Sequence, residues 1–347
     1  MNIQQFSLSV VFVICLLLPS EALANEENNR AIADLAFQNS SHLLTIPAGD
    51  SASLWVSDGW ILTKNRGTEF IHAQEAGETR QVFLDVSPMA NGDWARMDGA
   101  WRLEKGFLVS GNAVDSSGST FSTLRKYNDD GTLRMTVRLG LTTKEGVVVR
   151  GDTPTMTIIG ATQLPDGDVA LLWIGKGGRG GGDNILVGAI RAGADLVLGE
   201  SLYGPVDLGF PYFSTTYSDE MIKKASDIRF FKNHLYIVDA FNTMLTISTE
   251  NGKIVKQMKI KDLSGEDRPV IIRGWSLEPN AVHIQVLMPD VADPKERTDT
   301  TQMLFSYSLT GEPLRKAREL DLGVLRPSES GQSFAVINGS VFTGSLR

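Results

Sequence analysis

Five aromatic side chains cluster in one stretch of this sequence and form a candidate binding surface. They lie within residues 202–220: Tyr203, Phe210, Tyr212, Phe213 and Tyr217. Aromatic rings with polar tips make good contact surfaces for sugars, peptides and protein partners. The same rings could instead pack this stretch onto the body of the protein as a small satellite core. The sequence leaves both interpretations open.

A second candidate is a set of arginines and aspartates near the ends of predicted strands. It comprises Arg66, Asp98, Arg150, Asp152 and Arg273. Such a mixed ring of guanidinium and carboxylate groups could hold a polar ligand through charge-assisted hydrogen bonds. It could equally be a salt-bridged rim of the fold, which contributes little free energy. The pattern gives none of these residues a catalytic role, so we assign no catalytic residue from the sequence.

Motifs for metal ions and phosphates are weak in this sequence. Residues 288–302 carry several carboxylates, but they lack the alternate oxygens and central glycine of an EF-hand loop. The glycine-rich residues 175–184 join two predicted strands, whereas a phosphate cradle opens a helix. The histidines are spread along the chain, at His42, His72, His234 and His283. We do not expect them to converge on one zinc ion, so we predict no metal site and no cofactor.

Turn signals between apolar, β-prone stretches recur along the chain and indicate the elements that must position these side chains. The first series is Asp58-Gly59, Lys105-Gly106, Asp166-Gly167, Lys232-Asn233, Pro279-Asn280 and Asn338-Gly339. The second series alternates with it: Ala76-Gly77, Asp130-Gly131, Ala192-Gly193, Asn251-Gly252 and Thr310-Gly311. The glycines of the second series are 54, 62, 59 and 59 residues apart. A repeat of two hairpins is one four-stranded sheet, and such sheets arranged radially make a β-propeller.

The repeat therefore predicts an all-β fold, a six-bladed β-propeller. Five blades are complete in the sequence, at residues 53–86, 100–139, 157–202, 227–260 and 271–322. The sixth has two strands within residues 332–346. We expect two more from residues 31–38 and 42–47, so that N- and C-terminal strands close the last blade. Residues 27–38 could instead form a short helix, and a solenoid is the alternative fold.

One stretch of the fourth blade resembles a known repeat. The sequence LYIVDAFNTMLTISTENGKIVKQMKI is similar to an NHL-type repeat, and Asp239 and Asn242 match the Asp and Asn of that pattern. The sequence ATQLPDGDVALLWIG is similar to the start of such a repeat. The resemblance implies a six-bladed propeller of the NHL or TolB-like kind, with an Asp and an Asn that tie a loop to the backbone. It implies no particular chemistry, because that superfamily includes binding modules, lactonases and lyases.

The connections on the two faces of the predicted disc differ in length. Both turn series are short and lie on one face, called the turn face below. The opposite, long-loop face carries connections such as residues 87–99, 140–155 and 203–226. Loops longer than a connection requires are usually functional or disordered. We therefore expect binding on the long-loop face, near the mouth of the central channel.

The N-terminus indicates an exported protein. Residues 8–19 form a short apolar run, and Ala22-Leu23-Ala24 is a small-x-small cleavage pattern. We predict a signal peptide over residues 1–24 and a single propeller domain over residues 25–347. The alternative, an uncleaved membrane anchor, is disfavoured because the run is short for a span. The expected location is periplasmic or extracellular, with no membrane span after cleavage.

The charge of the chain argues against a nucleic-acid partner. The net charge is −8, and no basic stripe is present to neutralise phosphates. The sequence favours an exported binding or scaffold protein that presents its long loops to a protein, peptide or glycan. The alternative is a lactonase-like, metal-dependent hydrolase or lyase with one divalent cation, such as calcium, in the central channel. The sequence does not decide whether the protein is an enzyme, although it favours a non-catalytic role.

Overall fold

The computed structural model describes the strands of the fold and many of the short turns between them. Described backbone covers residues 20–46, 53–65, 67–87, 97–114, 120–139, 156–177, 184–211, 225–260, 270–289, 300–320, 322–328 and 331–347. Side chains are described throughout these ranges except at residues 20–26, 112–114, 120–121, 176–177, 184, 208–211, 289 and 300.

Within these ranges, the secondary structure consists of one helix and a succession of short strands. Helix α1 spans Ser20–Ala36. Blade one contains β2 (Ser53–Ser57), β3 (Trp60–Lys64), β4 (Phe70–Glu75) and β5 (Gln81–Asp85). Blade two contains β6 (Met97–Arg102), β7 (Phe107–Val114), β8 (Thr120–Tyr127) and β9 (Leu133–Arg138). Blade three contains β10 (Met156–Gln163), β11 (Val169–Gly177), β12 (Asn184–Ala192) and β13 (Leu198–Pro211).

The remaining blades follow the same plan. Blade four contains β14 (Asp227–Phe231), β15 (His234–Asp239), β16 (Met244–Ser248) and β17 (Ile254–Lys259). Blade five contains β18 (Ile271–Glu278), β19 (Ala281–Pro289), β20 (Thr300–Ser308) and β21 (Pro313–Glu319). Blade six contains β1 (Phe37–Thr45), β22 (Val324–Arg326), β23 (Ser333–Ile337) and β24 (Ser340–Leu346).

The blades form a closed ring, in which the innermost strand of each blade lies at the axis: β2, β6, β10, β14, β18 and β22. Strand β10 contacts both β6 and β14, β2 contacts β6, and β18 contacts β22. The fourth strands lie at the rim, where β5, β9 and β17 expose every second side chain. The fold is therefore the six-bladed β-propeller that the turn repeat predicted, and the solenoid alternative is excluded.

The two termini share blade six differently from the prediction. The N-terminus supplies one strand, β1, which pairs antiparallel with β24, and the C-terminus supplies three strands. Residues 31–36, predicted as a strand, are the last part of α1, where Ala33 and Ala36 are buried against blade six. The prediction missed β22 because this strand has three residues and is defined by its neighbours in the ring. The termini do close the ring, as expected.

The two turn series lie on one face, with one exception. Asp58 and Gly59 illustrate the local cause, since both have positive φ (44° and 74°), as a two-residue hairpin turn requires. The Gly59 amide donates to Ser328 Oγ at 3.1 Å, so the β22–β23 connection also lies on the turn face. The turn at Asn338-Gly339 joins β23 to β24 and therefore lies on the long-loop face. Its assignment to the first series was wrong, because the strand before it had been missed.

Two glycines in inner strands allow neighbouring blades to approach closely at the axis. Gly160 in blade three and Gly274 in blade five each follow a β-bulge. A Cβ on Gly160 would lie 2.6 Å from Asp227 Oδ1, and one on Gly274 would lie 2.4 Å from the Leu325 carbonyl oxygen. Both distances are too short for a side chain, so glycine at these positions sets the spacing of the inner strands.

Helix α1 runs through the predicted cleavage position and packs on blade six. Among its residues whose side chains are described, Asn29 Oδ1 accepts a hydrogen bond from Asn338 Nδ2 at 3.0 Å, and Ala33 is fully buried. Cleavage after Ala24 would leave these contacts in place. Within the ranges given above, no helix is both long enough and apolar enough to cross a membrane.

Candidate functional site

Most of the residues predicted from loops lie outside the described part of the chain. These are Arg66, Arg150, Asp152, Tyr212, Phe213 and Tyr217, together with the glycine-rich loop beyond residue 177 and the acidic residues 290–299. Phe210 lies on the described backbone of strand β13, and its side chain is outside the described set. Asp98, Tyr203 and Arg273 are described with their side chains.

Tyr203 lies in the core between blades three and four. Strand β13 extends to residue 211, so the predicted loop at residues 202–220 begins as a strand. The Tyr203 side chain is 6% exposed, and its hydroxyl donates to Asp239 Oδ2 at 3.2 Å. Burial and the neighbouring Asp239 charge raise the pKa of Tyr203 well above its ordinary value. Tyr203 therefore packs into the core between two blades, and its predicted role in ligand binding stays a prediction.

Asp239 and Asn242 hold the β15–β16 connection together, as the resemblance to NHL-type repeats implied. Asp239 Oδ1 accepts hydrogen bonds from the backbone amides of Phe241 and Asn242, both at 3.1 Å. Its other oxygen accepts from Asn242 Nδ2 at 2.6 Å. Burial raises the pKa of Asp239, although these hydrogen bonds oppose the shift. The structural role expected for this pair is confirmed.

Arg229 crosses the central channel and is one of the largest fully buried side chains among the described residues. It belongs to the inner strand β14 of blade four and is 1% exposed. Its Nη1 donates to the Ala161 carbonyl oxygen of blade three at 2.6 Å, and its Nη2 lies 3.4 Å from the Val56 carbonyl oxygen of blade one. Blades one and four are opposite each other in a ring of six. The side chain therefore closes the channel at its level.

Two further charged side chains accompany Arg229 at the axis. Asp227 Oδ2 lies 2.7 Å from Arg229 Nη2 and forms a buried ion pair with it. Arg326, on the inner strand of blade six, lies close enough to Asp227 and Arg273 for both charges to affect its pKa. Burial lowers the pKa of Arg326 to about 10, Asp227 opposes this shift and Arg273 adds to it. Arg326 therefore stays protonated at neutral pH.

Asp98 and Arg273 occupy equivalent positions in two different blades. Asp98 is the extra residue of the bulge between Met97 and Gly99, and Arg273 is the extra residue of the bulge between Ile272 and Gly274. Both are on inner strands and both are partly buried. The structure thus places these two members of the predicted mixed ring beside the channel, in blades two and five. It does not test whether either residue binds a ligand.

The part of the chain given above holds no group of three or more His, Cys, Asp or Glu side chains placed to share a metal ion. Near the axis, the carboxylate of Asp227 is instead matched to the guanidinium of Arg229. An arginine at this distance and a bound cation would repel each other strongly in a buried site.

Sequence reasoning missed a row of polar side chains that crosses blade five toward blade six. The row consists of Ser276, His283, Ser306 and Arg315, which are directly opposite one another on adjacent strands. His283 Nδ1 lies 2.9 Å from Ser306 Oγ, and Arg315 Nε donates to that same oxygen at 3.2 Å. The signal was available in the sequence, because the Pro279-Asn280 turn fixes which residues of β18 and β19 are opposite each other.

Glu278 connects this row to the closing strand of the ring. Its Oε1 accepts hydrogen bonds from Ser333 Oγ at 2.8 Å and from the Leu346 amide at 2.6 Å, and His283 Nε2 lies 3.5 Å from Oε2. Burial alone would raise the pKa of Glu278, but these three groups together lower it below its ordinary value. The cluster joins blade five to the C-terminal strand, and we interpret it as structural.

Comparisons with known proteins do not place this chain in a family. No protein-family model and no curated protein matches the sequence. A streptogramin B lyase structure is similar at 12% identity and a TM-score of 0.43, covering 91% of this chain and 99% of that chain. A luciferin-regenerating enzyme is similar at 10% identity and a TM-score of 0.47, covering 88% and 94%. A member of the duf4221 family from Bacteroides vulgatus is similar at 10% identity and a TM-score of 0.48, covering 90% and 95%. Structural neighbours include six-bladed β-propellers, and the NHL or TolB-like family is not matched by a family model.

Proposed function

We propose that this protein is an exported, non-catalytic binding protein that presents its long-loop face to a protein, peptide or glycan. The observation that carries the proposal is the position of Arg229, which spans the channel from blade four to carbonyl oxygens of blades one and three. A buried arginine tied to three blades is part of the framework of the ring. A ligand would therefore meet the channel mouth and the loops around it.

The alternative is a hydrolase or lyase with a divalent cation in the channel. Carboxylates that converge at the axis would favour it, because they are the ligands that such ions prefer. Asp227, a carboxylate at the axis, is paired with Arg229 at 2.7 Å. This pairing supports the binding function over the cation-dependent one.

Site-specific photo-crosslinking on the mature chain tests which face binds. A photoreactive phenylalanine analogue would replace Tyr212, in the long connection between blades three and four, and in a control would replace Val197. Val197 is 65% exposed and lies in the β12–β13 turn on the turn face. We expect one distinct crosslinked product from position 212 when the protein is irradiated in its natural extracellular medium. An excess of unmodified protein should compete for the ligand and abolish that product. Equal crosslinking at both positions, or none at position 212, would contradict the proposal.

A metal titration tests the alternative separately. Melting of the mature chain would be followed with calcium, magnesium, manganese and zinc, each followed by EDTA, because binding to the folded state raises the melting temperature. A saturable, EDTA-reversible increase with one cation would favour the enzyme and justify a screen of lactones and esters. Unchanged melting with all four would favour the binding protein.

A further inference from the structure

Strand β21, the outermost strand of blade five, carries three basic residues within four positions: Arg315, Lys316 and Arg318. In a regular strand, Arg315 and Arg318 would point to opposite faces because their separation is odd. A β-bulge changes this, because Arg315 is opposite Ser306 on β20. Arg318 is opposite Leu304, two residues from Ser306 on the same strand. Both arginine side chains therefore lie on the face of blade five that packs against blade six.

Arg318 has two hydrogen-bond donors without a partner among the described residues. They are Nε and Nη2, and both atoms are buried. Leu304, directly opposite, belongs to an apolar cluster with Phe37 of blade six and Ala33 of α1, so Arg318 lies beside an apolar surface. Burying part of a charged group without a partner is unfavourable. A bound anion would supply the missing acceptors.

Arg315 is the neighbour of Arg318 on this face and is exposed. Its Nε donates to Ser306 Oγ at 3.2 Å, and the described residues offer its two terminal nitrogens no hydrogen bond and no ion pair. Burial, together with the charge of Arg315, lowers the pKa of Arg318. This effect agrees with the pairing of the strands, which already places the two guanidinium groups side by side.

The charges at this position favour a phosphate group as the anion. Glu278 has its carboxylate on the same face of the blade, but it belongs to β18 and is held by Ser333 and Leu346. Strand β18 lies three strand spacings from β21, which is roughly 14 Å. A phosphate monoester carries nearly two negative charges and three acceptor oxygens, so it can bind two guanidinium forks at once.

We propose that Arg315 and Arg318 bind a phosphate monoester at the rim, where blade five meets blade six. This site is separate from the long-loop face, so it does not depend on the proposed function. The phosphate could belong to a small soluble compound or to a lipid headgroup, and both sources present the same group.

The test compares phosphorylated probes with their neutral counterparts on the wild-type mature protein. In the soluble arm, glucose 6-phosphate and glucose are each titrated by calorimetry. In the lipid arm, the protein is sedimented with phosphatidylcholine vesicles that contain or lack phosphatidic acid. We expect the phosphorylated member of one pair to bind at least about tenfold more tightly, the usual effect of a charge-assisted hydrogen bond. The arm in which this occurs identifies the source.

Substitutions then locate the site. R315Q and R318Q should each weaken binding of that probe by about tenfold. R318K keeps the charge but lacks the planar fork, so its affinity should lie between those of R318Q and the wild type. The matched control is R134Q, since Arg134 is an exposed arginine on β9, the outermost strand of blade two. R134Q should leave the affinity unchanged.

Two results would overturn the phosphate site. One is a wild-type protein that binds neither phosphorylated probe more tightly than its counterpart, a comparison that needs no variant to fold. The other is a loss of affinity in R134Q as large as that in R318Q. Binding would then reflect general surface charge, and the basic residues of β21 would serve only to keep an edge strand from pairing with other chains.

Discussion

Replacing Arg229 by methionine should destabilise this protein more than almost any other single charge removal. In the folded chain, Arg229 makes an ion pair with Asp227 at 2.7 Å and donates to the carbonyl oxygens of Ala161 at 2.6 Å and Ile228 at 3.1 Å. Methionine fills much of the same volume but supplies no charge and no donor. The Asp227 carboxylate would lose its ion pair with Arg229 in a buried site.

The magnitude follows from this burial. Removing one member of a buried ion pair costs roughly 3–5 kcal/mol, because the remaining charge keeps its desolvation penalty. Typical domains are stable by about 5–15 kcal/mol, so the loss is a large part of the total. Adding D227N to R229M removes the carboxylate that has lost its ion pair with Arg229, and the double variant should therefore be more stable than R229M alone.

Urea unfolding followed by circular dichroism measures both effects. R229M should lower the urea midpoint without changing the slope of the transition, since the surface exposed on unfolding is the same. The control is K256M, which removes the exposed Lys256–Glu312 pair, whose side chains are 36% and 66% exposed. An exposed pair contributes about 0–1 kcal/mol.

The result that would refute this reasoning is a cost for R229M no greater than that for K256M. It would mean that the Arg229 side chain is solvated and does not bridge blades one, three and four. A double variant no more stable than R229M would refute the ion pair with Asp227 in particular.

Four further predictions can be tested, three from the structure and one from the sequence. E278Q should lower the free energy of unfolding by about 1–3 kcal/mol at pH 7, as measured by urea titration. The pKa of Glu278 is lower in the folded protein than in the unfolded chain. The difference between E278Q and wild type should therefore shrink as the pH falls below the unfolded-state pKa and through the folded-state pKa. Y203F should cost about 1–3 kcal/mol in urea unfolding, because buried Asp239 loses a donor. G274A should cost about 1–3 kcal/mol in thermal unfolding, since its Cβ would lie 2.4 Å from a backbone oxygen of blade six. Mass spectrometry of the exported chain should show an N-terminus directly after Ala24.

The repeated turns in the sequence were enough to predict most of the fold. Turns such as Asn251-Gly252 and strands of alternating character specify hairpins by short-range chemistry, and hairpins repeated at a regular interval specify blades. The division of blade six was not specified in this way. Residues 324–326 are too few to show a period, and Ala31–Ala36 becomes helix where Ala33 and Ala36 pack on a blade built from the other end of the chain.

The candidate site depended on the tertiary structure for a related reason. Asp98 and Arg273 were selected because they lie near predicted strand ends, whereas Arg229 and Arg326 lie in strands whose side chains gave no sign of facing a channel. Arg229 reaches partners 68 and 173 residues away in the sequence, at Ala161 and Val56.

The sequence by itself determined which residues pair within each blade, because hairpin turns and alternation act over a few residues. Only closure of the ring decided which side chains meet at the axis. The innermost strands of all six blades come together there regardless of their separation along the chain, and no short-range pattern records that contact.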